Sequence, residues 1–313
     1  MCGLWQLFAV CANEEENMLP TLTVFTPTYN RAELLRRCYE SLRRQTSKDF
    51  LWMVIDDGST DNTETIVEQW IKEETQFEIK YIYKKNGGLH TGYNTAIEHA
   101  ETELCICIDS DDYMPDNSVE QIITFWHANG SEKYAGIVGL DYDSNGNCIG
   151  DPLPQVTHLN LIDLTTGKYP IKNADRKLVV RTDLYKSVAP MPSFPGEKNF
   201  NPQYMHIKIS LNYDFLVLNE CLCHVEYQPD GMSNNMFRQY YNSPNSFAEI
   251  RLLDLSLPGT TALFKLKKSI HYCSSCILAK RKHFLWKSPC KFITMLAWIP
   301  GVLLSWIIKV KNR

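Results

Sequence analysis

The centre of the predicted fold is the segment Cys105-Ile106-Cys107-Ile108-Asp109-Ser110-Asp111-Asp112, where a short apolar run meets three carboxylates within four positions. The run from Leu104 to Ile108 is apolar on both faces, as is typical of a central strand in a parallel sheet covered on two sides. The acids then follow the carboxyl end of the strand, the edge at which open α/β sheets bind ligands. Closely spaced Asp oxygens suit Mg²⁺ or Mn²⁺, so the segment predicts a site for a metal-carried diphosphate. An acidic turn before a helix near Asn117 is the alternative.

Strand and helix patterns alternate on both sides of this segment. Helices with an apolar face are predicted to begin near Asn30, Asp61, Thr91 and Asn117, and the first two carry a glutamate three residues later that indicates a capping box. This alternation predicts a doubly wound, mostly parallel α/β sheet. The predicted strands are 21–26, 51–55, 79–83, 104–108 and 136–140.

Charge is distributed unevenly along the chain. The 313 residues carry a formal net charge of -4, yet residues 262–313 contain eleven Lys or Arg and no Asp or Glu. The first 261 residues therefore hold 21 basic and 36 acidic side chains, a net charge of -15. An acidic body argues against nucleic acid as its partner, and a basic tail indicates an anionic surface, with a membrane as the leading candidate.

Cysteine usage and the amino-terminal segment bear on the compartment. Eleven cysteines is an odd number, and several fall in predicted buried strands, so we expect free thiols in a reducing compartment. Residues 1–17 have an apolar patch without a basic region before it. We expect them to be an extension or a mis-chosen start rather than a signal peptide.

Polar residues follow three of the predicted strands at the same sheet edge. Tyr29 is suited to stacking on a base, and Asp57 to accepting a hydrogen bond from a ring N–H such as that of uracil. Gly87 and Gly88 would allow the chain to pass close to a ribose or phosphate. Together they favour a pyrimidine nucleotide, although singly Tyr29 is equally a turn aromatic and Asp57 equally a helix cap.

Four motifs together resemble the family 2 glycosyltransferases of GT-A fold, of the bacterial polysaccharide type. They are Thr-Pro-Thr-Tyr-Asn-Arg at 26–31, Ile-Asp-Asp-Gly-Ser-Thr-Asp at 55–61, Asn-Gly-Gly at 86–88 and Asp-Ser-Asp-Asp at 109–112. The resemblance is strong over residues 20–115 and weaker to about 240. It implies a GT-A, Rossmann-like doubly wound sheet, to which a C-terminal basic helical tail is added, and inverting transfer from a nucleotide-activated sugar.

The resemblance also implies roles for individual residues. A divalent cation, Mn²⁺ or Mg²⁺, is expected on Asp109 and Asp111, and Asp112 is able to share or replace that role. His90 would lie where a donor facing the diphosphate is useful, although a histidine at a helix start is equally ordinary. The complete set of expected nucleotide-sugar contacts is Pro27, Thr28, Tyr29, Asp56, Asp57, Gly88, His90 and Asp109.

An inverting transfer needs a general base, usually Asp or Glu, to take the acceptor proton. Glu197 follows a Pro-Gly turn and lies at about the family's place for this acid, so Glu197 and Asp111 are the predicted catalytic residues. The surrounding sequence departs from the commoner Glu-Asp pair. Asp214 and Asp230 are competing candidates, and both are also typical turn residues.

The basic tail contains an uncharged run of 17 residues, 292–308, with Trp298, Trp306 and a central Pro300-Gly301. A length of about 17 residues is the lower limit for a spanning helix, and the Pro-Gly pair is expected to break it. We therefore expect residues 289–313 to lie in the membrane interface, and docking on the catalytic domain is the alternative.

These expectations combine into an organisation and a function. The predicted parts are a nucleotide-sugar-binding half at 18–141, an acceptor-binding half at 142–250 and a membrane-associating tail at 251–313. The predicted activity is metal-dependent transfer from a nucleotide diphosphate sugar, with UDP favoured, to a glycan or lipid-linked acceptor at the cytoplasmic face of the membrane. The alternatives are a sugar-phosphate nucleotidyltransferase and a non-catalytic, membrane-tethered module that binds nucleotide sugars.

Overall fold

A computed structural model describes residues 19–172, 174–228 and 235–312. Residues 1–17 and Asp230, for which the sequence suggested an extension and a candidate base, lie outside the described residues. The strands are β1 Leu22–Thr28, β2 Phe50–Asp56, β3 Glu78–Tyr83, β4 Leu104–Cys107, β5 Tyr134–Asp143, β6 His158–Leu159, β7 Arg176–Arg181 and β8 Asp214–Val225. The helices are α1 Ala32–Arg43, α2 Thr63–Glu73, α3 Leu89–His99, α4 Ser118–Asn129, α5 Leu161–Thr166, α6 Thr182–Val188, α7 Gln203–Ser210, α8 Met236–Asn242, α9 Pro244–Ser256, α10 Ala262–Leu278, α11 Phe284–Lys287, α12 Lys291–Leu296 and α13 Trp298–Lys311.

The strands form one eight-stranded sheet in the order β3-β2-β1-β4-β7-β5-β8-β6. β1 pairs in parallel with β2 and β4, so that Leu22 lies opposite both Phe50 and Leu104. β7 then enters antiparallel between β4 and β5, and β8 pairs in parallel with β5. The predicted doubly wound, mostly parallel sheet is confirmed, and residues on both sides of position 141 contribute strands to it.

Helices cover both faces of the sheet, which explains why the central strands are apolar on both sides. On one face, the ring of Tyr39 in α1 stacks between Trp70 of α2 and Trp52 of β2, at centroid distances of 4.3 and 5.7 Å. On the other face, Phe25 of β1 meets Tyr93 of α3 edge to face at 4.9 Å. Aromatic pairs of this kind contribute about 0.5–1.5 kcal/mol beyond the area they bury.

The predicted capping box at Asn30 is wrong. α1 begins at Ala32, and Asn30 adopts a positive φ of 52° with its Oδ1 accepting a hydrogen bond from Thr60 N at 2.7 Å. Asp61 caps the starts of both α1 and α2, since its carboxylate accepts hydrogen bonds from Ala32 N and Thr63 N at 3.1 Å each. Burial opposes the charge of Asp61, but its hydrogen bonds to Thr63 and Ala32 outweigh burial and lower its pKa.

The last helices, α8 to α13, pack on one another. α10 packs on α9 and α13, and α13 also packs on α8. The apolar run is divided at Ala297, since α12 ends at Leu296 and α13 begins at Trp298. The break that the sequence predicts is therefore present just before Pro300-Gly301, and Pro300 lies in the first turn of α13, where its missing N–H costs little. Among the described helices, none combines the length and apolarity required to cross a membrane.

Candidate active site

A cavity of about 860 Å³ lies at the carboxyl ends of β1, β2 and β4. Its size falls within the range of about 300–1,000 Å³ that is usual for small-molecule sites. Residues that follow the first strands line it together with residues from β7 and α7. The side chains at the strand ends are Pro27, Thr28, Tyr29, Asp57, Asp109, Asp111 and Asp112. The predicted convergence of the polar strand ends is therefore present.

The acidic cluster after β4 places three carboxyl groups on the cavity wall. Asp111 accepts an ion-paired hydrogen bond from Arg31 Nη1 at 2.9 Å, and Asp112 accepts from the backbone N–H of Glu226 at 3.1 Å. Burial raises the pKa of Asp111, and the Arg31 charge opposes this rise. Burial also raises the pKa of Asp112 to about 8, where the neighbouring Asp109 charge adds to the effect. Carboxylates with raised pKa values form a site that gains from a bound cation.

Asp57 organises the loop of residues 86–88 at the cavity wall. Its two carboxylate oxygens accept hydrogen bonds from Gly87 N at 2.8 Å and Gly88 N at 2.7 Å, and it also forms an ion pair with Lys84. Gly88 has a φ of 95°, and a Cβ there would lie 1.9 Å from the carbonyl oxygen of Lys198. The close approach predicted for Gly88 is therefore made to the backbone of Lys198.

Comparison with known proteins agrees with this geometry. Residues 23–177 match the family model described as glycosyl transferase family 2. The chain carries a family 2 glycosyltransferase domain. The match begins in β1 and ends in β7, so it contains the whole acidic cluster and the loop that Asp57 organises.

Individual relatives resemble parts of this chain. The putative glycosyltransferase EpsH of Bacillus subtilis is 35% identical over 104 residues, which are 33% of this chain and 30% of EpsH. The chain thus matches less than a third of that relative's length. The structure of S. aureus TarS 1–349 in complex with UDP-GlcNAc has a TM-score of 0.62 at 20% identity, covering 94% of this chain and 91% of that one. The mannosyltransferase PcManGT of Pyrobaculum calidifontis, in complex with GDP-Man and Mn²⁺, has a TM-score of 0.55 at 16% identity, covering 93% and 88%. At these identities the two structures show the shared GT-A fold.

Asp56 and His90, two of the predicted contacts with the nucleotide sugar, lie outside the cavity wall. Asp56 is buried, and its carboxylate accepts hydrogen bonds from Ser59 N and Tyr81 Oη, both at 2.7 Å. His90 is buried with its Nε2 at 3.1 Å from Ser193 Oγ, and burial lowers its pKa. Both side chains therefore form hydrogen bonds that hold neighbouring segments of the chain, and this role differs from the predicted contact with the nucleotide sugar.

Glu197 caps a helix in this structure. Its Oε1 accepts hydrogen bonds from Asn245 N at 2.8 Å and Asn245 Nδ2 at 2.9 Å, and its Oε2 accepts from Ser246 N at 2.8 Å and Ser246 Oγ at 2.6 Å. Asn245 and Ser246 belong to the first turn of α9, where free N–H groups favour an anion. Glu197 is buried and lies outside the cavity wall, and its neighbour Lys198 lines the cavity instead. This geometry does not favour Glu197 as the general base.

Asp214, the competing candidate that the structure describes, also lies outside the cavity wall. Its carboxylate pairs with His158 Nδ1 at 2.9 Å and accepts a hydrogen bond from Asn160 Nδ2 at 2.9 Å. These contacts tie the start of β8 to β6 and to the start of α5. An exposed carboxylate that does line the cavity is Asp175, which accepts a hydrogen bond from Tyr227 Oη at 3.3 Å.

The cavity wall contains charged residues that the sequence patterns missed. Lys177 is buried in β7, with its Nζ 3.6 Å from Asp141 Oδ1, and its charge acts on Asp112 and Asp109. The available signal was a lysine directly before the apolar run Leu178–Val180, at a position that a strand through this run would include. His206 of α7 also lines the wall, and burial lowers its pKa to about 4.

The carboxylate ligands on the cavity wall fit a cation that binds together with the phosphates of its substrate. Among the residues described, no group of three or more His, Cys, Asp or Glu side chains is arranged to hold a metal ion. Mg²⁺ is commonly bound by one or two carboxylates together with substrate phosphates, and it keeps several waters. Asp109 and Asp111, which share one cavity wall, provide such a pair.

Proposed function

We propose that this chain transfers a sugar from a nucleotide diphosphate donor, UDP-linked in the first instance, to a glycan or lipid-linked acceptor in polysaccharide synthesis, with inversion. The observation that carries the proposal is the shared cavity wall, on which the acidic cluster after β4 faces the same space as Tyr29 and the Asp57 loop. The family 2 domain covers this wall. The TarS complex with UDP-GlcNAc supports a UDP-sugar, and the PcManGT complex with GDP-Man makes GDP-mannose the comparison donor.

The chain's own residues would hold and orient the donor. The exposed ring of Tyr29 at the cavity mouth is available to stack on a base, and the Asp57 carboxylate keeps the 86–88 loop in position beside it. Asp109 and Asp111 would hold Mg²⁺ or Mn²⁺, which supplies charge stabilisation to the leaving diphosphate when it is bound. Arg31 holds the Asp111 carboxylate in place on this wall.

The acceptor side of the proposal requires a base on the cavity wall. Glu197 remains a prediction from the family's motif, although its four hydrogen bonds serve α9. Asp175 is the exposed wall carboxylate that we would compare with it. Transfer rates of Glu197→Gln and Asp175→Asn with saturating donor separate the two, because loss of a general base lowers the rate by roughly 10²-fold or more while donor binding persists.

The test of the function is donor turnover by the full chain. UDP-GlcNAc, UDP-glucose and GDP-mannose are incubated with Mn²⁺, with Mg²⁺ or with EDTA, and nucleotide release is measured. We expect slow release from a UDP-sugar that requires the cation and that Asp111→Asn abolishes. Asp116→Asn is the matched control, since Asp116 pairs with Arg44 on the exposed surface.

Two outcomes would overturn the proposal. Pyrophosphate release from a nucleoside triphosphate and a sugar 1-phosphate would instead indicate the nucleotidyltransferase. Donor binding without turnover, in the presence of glycan and lipid-linked acceptors, would indicate the non-catalytic binding module.

A further inference from the structure

The outer surface of the last two helices is apolar and exposed. We call this surface the tail face. Its side chains project from α12 and α13, and Phe292, Ile299 and Trp306 are 74, 66 and 63% exposed. Its members are Phe292, Met295, Leu296, Trp298, Ile299, Val302, Leu303, Trp306, Ile307 and Val310. Soluble proteins rarely expose contiguous apolar patches of more than a few hundred Å², and larger ones mark interaction sites.

The tail face is exposed because the helix packs through its small residues. The buried positions of this segment are Thr294, Ala297, Gly301, Ser305 and Ile308, which recur at helical spacing on one side. Gly301 lies so close to α10 that an added Cβ would be 2.4 Å from Cys273 Cβ. Small residues inward and large apolar residues outward reverse the usual pattern of a surface helix, and this arrangement is typical of helices that face lipid.

On the buried side of α12, hydroxyl groups form hydrogen bonds with one another. Thr294 Oγ1 lies 3.2 Å from Ser269 Oγ and 2.6 Å from Ser288 Oγ, and it donates to Cys290 O at 2.9 Å. The hydroxyl group of Thr294 is therefore turned toward the protein. The side that remains for a partner is apolar.

The charges around the tail face identify the partner. Lys287, Lys291, Lys309 and Lys311 are exposed at the ends of the apolar run, and residues 262–313 contain no acidic side chain. The preceding 261 residues carry a net charge of -15. A surface that attracts the tail while repelling the body must present anions beside an apolar phase, and an anionic bilayer does both.

We propose that the tail face inserts into the interface of an anionic bilayer, with α13 parallel to the membrane plane and its exposed lysines at the level of the lipid phosphates. One side of α13 stays packed on α10, and the opposite side enters the boundary between headgroups and acyl chains. Trp298 and Trp306 would lie at the headgroup level, where indole rings are enriched. This inference does not depend on the donor or the reaction.

The test measures binding of the full chain to phosphatidylcholine vesicles with and without phosphatidylglycerol, by flotation. We expect binding that requires phosphatidylglycerol and weakens at high salt. Changing Lys287, Lys291 and Lys309 to Gln should weaken it by roughly 10- to 100-fold, since each lysine near an anionic surface contributes about fivefold. The matched control changes three exposed lysines of the body, Lys72, Lys133 and Lys172.

The apolar part is tested separately. The triple change Ile299→Ser, Leu303→Ser and Trp306→Ser should abolish vesicle binding at any salt concentration. The matched control, Ile71→Ser, Tyr83→Ser and Leu211→Ser, removes three apolar side chains of the body that are also exposed, and it should bind like the unchanged protein. Tryptophan quenching by brominated phosphatidylcholine in mixed vesicles should be lost in the tail-face triple variant.

Three outcomes would overturn the inference. Vesicle binding that the tail-face triple variant retains would place the lipid contact elsewhere. A dimer in lipid-free solution that this variant converts to a monomer, without vesicle binding by either, would assign the tail face to a second copy of the chain. Equal binding to neutral and anionic vesicles would exclude the role of the lysines. Donor turnover of the variants in lipid-free solution, which should be unchanged, keeps these outcomes separate from failure of the proposed function.

Discussion

Replacing Glu197 distinguishes a helix cap from a catalytic base. The carboxylate accepts four hydrogen bonds from the first turn of α9. A hydrogen bond to a charged group contributes about 1.5–3 kcal/mol, and a buried donor left without a partner costs about 1–3 kcal/mol. Glutamine keeps one acceptor oxygen but turns an NH₂ group toward N–H donors. Since such contributions are not additive, we expect Glu197→Gln to lower the free energy of unfolding by about 2–4 kcal/mol.

The consequence is measurable by calorimetry. For a protein of this size each kcal/mol shifts the melting temperature by about 2–4 °C, so a decrease of roughly 5–10 °C is expected. Ser246→Ala removes one of the donors, and the double variant with Glu197→Gln should lose less than the sum of the two single variants, because both changes act on one cap. Glu220→Gln, at an exposed position of β8, is the matched control and should stay within about 0.5 kcal/mol.

One result would contradict the interpretation of Glu197 as a helix cap. If Glu197→Gln melts like the unchanged protein while its transfer rate falls by roughly 10²-fold at unchanged donor affinity, Glu197 acts as the base. The four hydrogen bonds would then be replaceable by other partners of α9.

Three further expectations concern stability. His206 has a folded pKa of about 4, so the unfolded chain takes up a proton that the folded chain excludes, and stability should fall by about 2–3 kcal/mol as the pH decreases from about 6.5 to 4. His206→Gln should flatten this dependence in urea titrations, whereas His127→Gln, at an exposed site, should leave it unchanged. Gly301→Ala should destabilise the tail by about 1–3 kcal/mol, and adding Cys273→Gly, which removes the opposing Cβ, should restore it; lack of rescue would refute the contact. Asp61→Ala should cost about 1–2 kcal/mol, more than a single cap, since two helix starts lose an acceptor, and an unchanged melting temperature would contradict the shared cap.

The helix starts show where local patterns fail. The Asn30 and Glu33 spacing satisfied the rule for a capping box, yet Asn30 turns to Thr60 and the α1 start is served by Asp61. A cap from a distant loop has no sequence spacing to detect. For the same reason the sequence did not reveal that Glu197 caps α9, because that helix begins 47 residues later in the chain.

What the sequence alone determined is the sheet and the acidic edge of the cavity. Runs that are apolar on both faces must be buried between two layers, and the carboxylates that follow them must then emerge at one edge, so Asp109 and Asp111 were predictable from order along the chain. Tertiary structure alone decided which carboxylates face the cavity. Asp56 and Asp57 are adjacent in the sequence and Glu197 follows a Pro-Gly turn, yet neither context indicates the partners of these carboxylates. Each binds the nearest unsatisfied N–H or hydroxyl groups, and only folding brings those groups to it. The tail likewise read as one apolar run, and packing of its small residues on α10 decided which side of α13 remains exposed.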